Sequence, residues 1–72
     1  MAAIPERLKE LRAHSGWTQK QIADAIEVSS VSIQRFEYGT VRPSLDTLIA
    51  LADLFNVSLD YLVGRSDEPT RY

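Results

Sequence analysis

Side chains that could recognise a ligand are concentrated between residues 30 and 35. Five of them fall on the outward face of a predicted helix: Ser30, Val31, Ser32, Gln34 and Arg35. Serine and glutamine can both donate and accept hydrogen bonds, and the flat arginine guanidinium can donate two parallel ones. The face has few of the long charged side chains that are typical of a solvated helix. Such a face is suited to lie in the groove of a binding partner. The alternative is that it is an ordinary solvated helix surface.

Catalytic chemistry has little support in the residue types. The chain has no cysteine and one histidine, His14, and it has no glycine-rich loop of the kind that holds phosphates. An isolated histidine lacks the oriented partner that acid–base catalysis needs. We therefore expect no enzyme activity, no metal site, no cofactor and no small-molecule ligand.

The polar face belongs to the second of two short helices that the sequence predicts on either side of a tight turn. Thr18 can cap the first helix, and Gln21, three residues later, can complete a capping box. Ser29 can cap the second helix, predicted over residues 30–38, and Gly39 can end it in a left-handed conformation. The connecting turn is too short for the two helices to stack side by side.

Three further helices follow from the spacing of apolar residues, so we expect an all-α fold of five helices. Helix 1 is predicted from about Pro5 to Ser15, and Trp17 behind it is favoured as a core anchor over an exposed stacking aromatic. Helix 5 is predicted over about residues 59–63. Helix 4 is predicted from about Leu45 to Phe55, with a core stripe made of Leu45, Leu48, Leu51, Ala52 and Phe55.

Length and charge fit one small domain. Seventy-two residues, 44% of them hydrophobic, allow a single core. We place the domain at residues 1–64 and expect residues 65–72, which lack periodicity, to form a flexible tail.

Without cysteine, a secretory signal or a membrane-length apolar run, we expect a cytoplasmic protein. The net charge is −2, with +1 on residues 1–43 and −3 on residues 44–72, so the first part is better suited to a polyanion.

Several of these pieces, taken in order, resemble the Cro/repressor-type (XRE-like) helix-turn-helix family. The matching segments are Gln19-Lys20-Gln21-Ile22-Ala23, Val28-Ser29, Ile33-Gln34-Arg35-Phe36-Glu37, Gly39 and Pro43-Ser44-Leu45. The resemblance spans about Leu8 to Leu62 and implies a five-helix lambda-repressor-like DNA-binding domain. It departs at Glu27, where the family usually has glycine in a left-handed conformation, which costs another residue roughly 1–2 kcal/mol. The turn is therefore either strained or follows a different path.

The function that the resemblance implies is sequence-specific regulation of transcription on double-stranded DNA, with a repressor favoured. A protein-interaction module, such as an antitoxin or an anti-repressor-like adaptor that kept the fold without DNA readout, is the alternative that the net charge keeps open. For base readout in the major groove we predict Ser30, Val31, Gln34 and Arg35. Arg35 is the expected guanine contact, Val31 could meet a thymine methyl, and Ser30 could contact a base or a phosphate.

Phosphate contacts are expected on both sides of the groove helix. Gln19 begins helix 2, where free backbone N–H groups favour an anion, although simple capping is the alternative. The family's loop after helix 3 contacts phosphates, which favours that role for Thr40 and Arg42 over an ordinary loop surface, while Tyr38 is left undecided. The full predicted set is Gln19, Lys20, Ser32, Tyr38, Thr40 and Arg42.

A structural ion pair between Arg12 and Glu37 is also implied, because many family members pair an arginine and a glutamate at these positions. Glu37 is expected in the last turn of helix 3, where a negative charge opposes the helix dipole and needs a cation. Pairing of Glu37 with Arg42 is the alternative.

Surplus apolar residues in the second half predict a homodimer. Ile49 and Leu54 lie on opposite flanks of the helix 4 stripe, and we expect Ile49 to be covered by the domain's own chain. Leu54, Tyr61 and Val63 are the predicted dimer contacts, with a single tolerated surface leucine as the alternative for Leu54. A two-fold dimer would set the two groove helices about 34–36 Å apart and would bind an inverted repeat with half-sites about 10 base pairs apart.

Overall fold

Five α-helices follow one another in the computed structural model, which describes residues 4–70, and no β-strand occurs within that range. This confirms the predicted all-α architecture. None of the helices in the described range is long and apolar enough to cross a membrane. The helices are α1 (Ile4–Ser15), α2 (Gln19–Ile26), α3 (Ser30–Tyr38), α4 (Leu45–Phe55) and α5 (Leu59–Leu62).

Local capping chemistry sets where four of the helices begin. A serine or threonine oxygen accepts a hydrogen bond from a backbone N–H in the first turn of each, which satisfies a donor that the helix leaves free. At α2 the capping box is complete, because the Gln21 side chain also accepts from the backbone N–H of Thr18. The capping residues are Thr18 for α2, Ser29 for α3, Ser44 for α4 and Ser58 for α5.

Each of the helices α1 to α4 is followed directly by a residue in the left-handed conformation, and at one of them this conformation is strained. Gly39 ends α3 with φ 79°, a value that glycine adopts without steric cost. Asn56 ends α4 with φ 55°, and asparagine tolerates this region better than most residues. Glu27 ends α2 with φ 62° and ψ 44°. The turn between α2 and α3 therefore keeps the family's left-handed path and places a glutamate in it.

The core lies where α1 and α2 pack on α3 and where α4 is covered by α2 and α5. Trp17 is half-buried and packs against this core, as expected of an anchor between α1 and α2. The core residues are Leu8, Ile22, Ala23, Ile33, Phe36, Leu51, Ala52, Val57 and Leu62.

Two predictions for helix 4 are wrong. Leu45, expected in the core stripe, is 62% exposed, and Ile49, expected to be covered by the domain's own chain, is 43% exposed. Only Leu51 and Ala52 of the predicted stripe are fully buried. Helical periodicity gives the residues that share a face, but it does not give how far the neighbouring helices extend along that face. The neighbouring elements bury residues 51 and 52 and leave the N-terminal turn of α4 uncovered.

The segment after α5 makes hydrogen bonds to α5 and to its capping residue, and the flexible tail expected over residues 65–72 stays a prediction. The backbone N–H groups of Arg65 and Ser66 donate to the Asp60 carbonyl. The N–H of Ser58 donates to the Pro69 carbonyl at 2.9 Å. These hydrogen bonds join backbone groups, which every residue type carries. The spacing of apolar residues in the sequence therefore could not reveal them. The segment up to residue 70 therefore lies against α5, and the last two residues of the predicted tail are outside the described range.

Candidate nucleic-acid interface

The residues predicted to contact bases share the solvent-facing side of α3. Ile33 and Phe36 are buried in the core on the opposite side of the same helix. The spacing of the exposed side chains, at positions i, i+1, i+4 and i+5, keeps them on one helical face. This exposed face consists of Ser30, Val31, Gln34 and Arg35. The fold therefore presents as one surface the four residues that the sequence singled out.

Arg35 is the long cation of this face, and its charge is available. Its side chain is exposed and makes no hydrogen bond or ion pair within residues 4–70. Its backbone carbonyl accepts from the N–H groups of Gly39 and Thr40 and from the Thr40 hydroxyl. A free guanidinium on an exposed helix face can donate its two parallel hydrogen bonds to one acceptor pair.

Ser32 lies at the edge of this face. It is half-buried, and its hydroxyl lies 2.9 Å from that of Ser29, the capping residue of α3. One hydroxyl of the pair must donate to the other, and the backbone N–H of Ser32 donates to the same Ser29 oxygen. Ser32 therefore supports the start of α3, and its predicted phosphate contact stays a prediction.

Glu37 forms the centre of a hydrogen-bond network that ties α3 to α1 and α2. Arg12 donates from Nε to Oε2 at 2.6 Å and from Nη2 to Oε1 at 3.0 Å. Gln19 Nε2 donates to Oε1 at 3.3 Å. The Glu37 side chain is only 4% exposed, so its charge needs these donors. The ion pair of Arg12 with Glu37 is thus the one the structure forms, and the alternative with Arg42 is wrong.

The same network affects Arg12 electrostatically. The hydrogen bond to Glu37 raises the pKa of the Arg12 guanidinium above its ordinary value and outweighs the opposing effect of partial burial. The bidentate geometry fixes the guanidinium plane as well as its position. Arg12 therefore remains charged and acts as a rigid brace between α1 and α3.

Gln19 takes a role that sequence reasoning missed. The phosphate contact predicted for Gln19 was argued from the backbone N–H groups at the start of helix 2, whereas its side-chain amide donates one hydrogen bond to Glu37. The backbone N–H groups of Gln19 and Lys20 stand in the first turn of α2, where no preceding helical carbonyl can accept from them. An anion at this end of α2 would be bound by those backbone groups. Nothing in the spacing of Gln19 and Glu37 along the chain could have revealed their contact.

Lys20 makes only a weak internal pair. Its Nζ lies 3.2 Å from Asp24 Oδ2 one turn along the helix, and both side chains are well exposed. Such exposed pairs contribute about 0.2–0.5 kcal/mol, so the ammonium can leave Asp24 for a stronger anion at little cost.

The remaining predicted phosphate contacts lie at the C-terminal end of α3 and in the loop between α3 and α4. Tyr38 is 73% exposed, and Thr40 and Arg42 are also exposed. The Thr40 hydroxyl donates weakly, at 3.4 Å, to the carbonyl of Arg35. No hydrogen bond or ion pair holds the Arg42 side chain within residues 4–70. The N-terminal end of α2 and this loop therefore provide polar groups in addition to those on the exposed face of α3.

The three side chains predicted to form the dimer contact are partly buried by their own chain. Leu54 and Tyr61 are half-buried and pack against the core. The Tyr61 ring also lies 3.8 Å from the guanidinium carbon of Arg7. Val63 is half-buried and helps to line a surface cleft of about 410 Å³ together with Pro5. Their role in a dimer stays a prediction, and less of their apolar surface is available than the sequence suggested.

Arg7 is a second residue whose position the sequence did not reveal. Its side chain is buried against Tyr61, and its Nη2 lies 3.4 Å from Oδ1 of the exposed Asp67. Among the residues that the structure describes, its Nε has no hydrogen-bond partner. In the sequence, Arg7 was indistinguishable from the exposed charges of helix 1. It connects α1, α5 and the C-terminal segment, on contacts separate from the exposed face of α3.

Comparison with known proteins adds independent information. Residues 8–62 match a family model described as helix-turn-helix. ImmR, an HTH-type transcriptional regulator of Bacillus subtilis strain 168, is 37% identical over 65 residues, which cover 90% of this chain and 51% of the relative. RstR, a transcriptional repressor of the cryptic phage CTXphi in Vibrio cholerae serotype O1, is 39% identical over 62 residues, which cover 86% of this chain and 55% of the relative.

Among solved structures, the P22 c2 repressor protein in complex with a synthetic operator has a TM-score of 0.84 and 26% sequence identity. The match covers 92% of this chain and 100% of that chain. The chain spans about half the length of the two curated relatives.

Proposed function

This chain belongs to the helix-turn-helix family, as its sequence predicted, and we propose that it is the DNA-binding part of a transcriptional regulator. Relatives named as transcriptional regulators, and the fold shared with a repressor bound to operator DNA, support this function. A regulator that binds chromosomal DNA would work in the cytoplasm. The names of RstR and the P22 c2 repressor favour repression over activation.

One observation supports the proposal most strongly. The exposed side of α3 is continuous and mainly polar, and its one long cation, Arg35, has no side-chain partner within residues 4–70. The major groove of B-DNA is wide enough for an α-helix, and each base pair presents a distinct pattern of donors and acceptors there. Arg35 would donate to O6 and N7 of a guanine, and Gln34 could pair with an adenine. Val31 would pack on a thymine methyl, and Ser30 would contact a base or a phosphate.

Phosphate contacts would fix the register of α3 in the groove without selecting a sequence. The first turn of α2 would bind one phosphate through the backbone N–H groups of Gln19 and Lys20, reinforced by the Lys20 ammonium. Thr40 and Arg42 would bind phosphates at the other end of α3, with Tyr38 and Ser32 as further contacts. The Arg12–Glu37 brace supports this arrangement, because it ties both ends of the contact surface to one rigid unit.

A homodimer on an inverted-repeat operator extends the proposal. The chain as a whole carries a net charge of −2, so one copy neutralises few phosphates, and two linked copies would bind with far greater affinity. The operator would contain half-sites about 10 base pairs apart, one turn of DNA.

The proposal is tested by selecting bound sites from a random double-stranded DNA pool and titrating the protein with the selected duplex. A scrambled duplex of equal length is the control, and both titrations are repeated over a range of salt concentrations. We expect tighter binding to the selected duplex and a steep loss of affinity with salt, because each phosphate contact releases a counterion. A chain that enriches no sequence and binds neither duplex at low salt would instead be an adaptor that kept the fold without DNA readout.

A further inference from the structure

Arg7 is a buried cation with an unpartnered donor. It is 5% exposed, and its guanidinium carbon lies 3.8 Å from the centre of the Tyr61 ring. Burial alone would lower the pKa of the guanidinium, but Tyr61 and Asp67 raise it above its ordinary value, so the group stays charged. Among residues 4–70, Nη2 has one carboxylate partner, Asp67 Oδ1 at 3.4 Å, and Nε has no partner. An added acceptor would therefore stabilise this buried charge.

The Asp67 carboxylate comes from residues 65–70, the C-terminal segment, which lies against α5. Ser58, the capping residue of α5, donates from its backbone N–H to the Pro69 carbonyl at 2.9 Å and from Oγ to the Glu68 carbonyl at 3.4 Å. We call Arg7, Ser58 and Tyr61 the Arg7 site. This site binds one carboxylate and, two residues later in the segment, one backbone carbonyl.

The C-terminal segment is weakly held on the Arg7 site. None of its residues belongs to the hydrophobic core, and all except the half-buried Ser66 are exposed. The Asp67 side chain is 99% exposed, and the ion pair of Arg65 with Asp60, at 3.6 Å, joins two exposed side chains. Exposed ion pairs contribute little, and a segment with few buried apolar contacts opens at a low free energy. The segment can therefore leave the Arg7 site without disturbing the core.

We propose that the Arg7 site is a docking surface for an acidic, extended peptide of a partner protein, and that residues 66–69 occupy it within the chain until such a peptide replaces them. The chemistry of the partner follows from that of the present occupant. A carboxylate would pair with the buried guanidinium, and a carbonyl two residues later would accept from the Ser58 N–H. The site lies apart from the exposed face of α3, so the proposal goes beyond DNA binding and does not depend on it.

A partner peptide could bind more tightly than the chain's own segment. The Asp67 carboxylate is tied to α5, because the N–H groups of Arg65 and Ser66 donate to the Asp60 carbonyl, and it contacts one guanidinium nitrogen at a long distance. A carboxylate free of this connection could bind Nε and Nη2 together, in the parallel geometry that a guanidinium prefers. Glutamate has one more methylene than aspartate and would reach Nε more easily, so we expect the site to favour glutamate.

Peptide titration tests the proposal on the whole chain. The probe is an acetylated and amidated peptide with the sequence of residues 65–70, and it is added to the isotope-labelled Asp67→Asn chain, in which the internal competitor is weakened. NMR should show saturable shifts of the Ser58 amide and the Arg7 Nε–H signals. The wild-type chain should bind the same peptide several-fold more weakly, because its own segment competes.

Peptide variants test the recognition of the carboxylate. The same peptide with Asp67→Asn should bind several-fold more weakly to the Asp67→Asn chain, and the peptide with Asp67→Glu should bind several-fold more tightly.

Two further substitutions in the Asp67→Asn chain provide matched controls. Arg7→Met keeps an apolar side chain against Tyr61 but removes the cation, so it should abolish the preference for the aspartate peptide over its asparagine form. Lys9→Met removes an exposed cation from the same helix and should leave that preference unchanged. Urea unfolding establishes that each variant folds.

Any of four results would overturn the proposal. The first is the absence of a saturable shift at Ser58, the second is equal binding of the aspartate and asparagine peptides, and the third is an Arg7→Met chain that keeps the preference. The fourth is self-association of the wild type that Asp67→Asn abolishes, because a second copy of this chain would then be the occupant. Loss of DNA binding in Arg35→Ala with unchanged peptide binding would show that the two surfaces act separately.

Discussion

Arg12 and Glu37 lie 25 positions apart in the sequence and share two hydrogen bonds, with Nε at 2.6 Å from Oε2 and Nη2 at 3.0 Å from Oε1. The carboxylate is almost fully buried, whereas the guanidinium is about one-third exposed. Removing one partner should therefore have a different cost in stability from removing the other. Among the described residues, loss of the arginine would leave the buried carboxylate with the Gln19 amide as its one side-chain donor. Loss of the glutamate would leave a cation that water can reach.

The first prediction concerns this asymmetry. Arg12→Ala should lower the free energy of unfolding by about 3 kcal/mol, because a stranded buried charge is the expensive state. Glu37→Ala should cost less, and the double variant should cost less than the sum of the two single variants. Urea unfolding of the four proteins provides the double-mutant cycle. Strictly additive free energies would mean that the two hydrogen bonds carry no coupling in solution.

The second prediction concerns the strained turn. Glu27 has a φ of 62°, a conformation that costs a non-glycine residue roughly 1–2 kcal/mol. Glu27→Gly should stabilise the domain by about 1 kcal/mol, since glycine removes the strain but loses more freedom on folding. Glu27→Ala is the matched control, because alanine keeps the steric penalty. Thermal unfolding midpoints should rank glycine above both alanine and glutamate, and equal midpoints for glycine and alanine would contradict the strain.

The third prediction concerns base readout. Arg35→Ala should weaken binding to the selected operator by about 1–3 kcal/mol and relax the preference at one base pair, because a bidentate contact to guanine is lost. Arg35→Lys tests the geometry, since lysine keeps the charge but cannot form the two-pronged contact. Site selection repeated with each variant measures the preference. A site pattern unchanged by Arg35→Ala would remove Arg35 from the proposed base contacts.

The fourth prediction concerns phosphate contacts. Lys20→Ala and Arg42→Ala should weaken binding to the selected and scrambled duplexes alike, because a phosphate contact carries no sequence information. Each change should reduce the slope of log affinity against log salt by about 0.9 for each bound protomer. Lys9→Ala, in α1, is the control and should leave the slope unchanged. If Lys20→Ala altered the selected sequence, its role would be base readout instead.

The fifth prediction concerns Arg7. Its stem and guanidinium are buried against Tyr61, while its ion-pair partner Asp67 has a side chain that is 99% exposed. Arg7→Ala should cost about 2–3 kcal/mol through lost packing and the lost cation–π contact. Asp67→Ala should cost less than about 1 kcal/mol, because exposed ion pairs contribute little. Urea unfolding distinguishes the two, and equal losses would show that the ion pair dominates.

The sequence alone determined the helical pieces and the family. Thr18, Ser29, Ser44 and Ser58 mark helix starts because a capping side chain bonds to N–H groups only two or three residues away. The ordered set of motifs identified the family and, through it, the Arg12–Glu37 pair, and the exposed face of α3 follows from helical periodicity. These features depend on interactions within one turn of chain or on a recurring pattern, and both are visible in a single sequence.

Tertiary structure decided which side chains remained free. It committed the amide of Gln19 to Glu37, stacked Arg7 on Tyr61 and left Leu45 uncovered. Each outcome depends on distances between elements that are remote in the chain, and neither residue type nor periodicity encodes such distances. A helical stripe gives the direction of a side chain, whereas the length and placement of the neighbouring helix decide whether anything meets it. For that reason periodicity gave the exposed face of α3, whose role in base readout stays a prediction, but it did not show that the chain itself partly buries Leu54, Tyr61 and Val63.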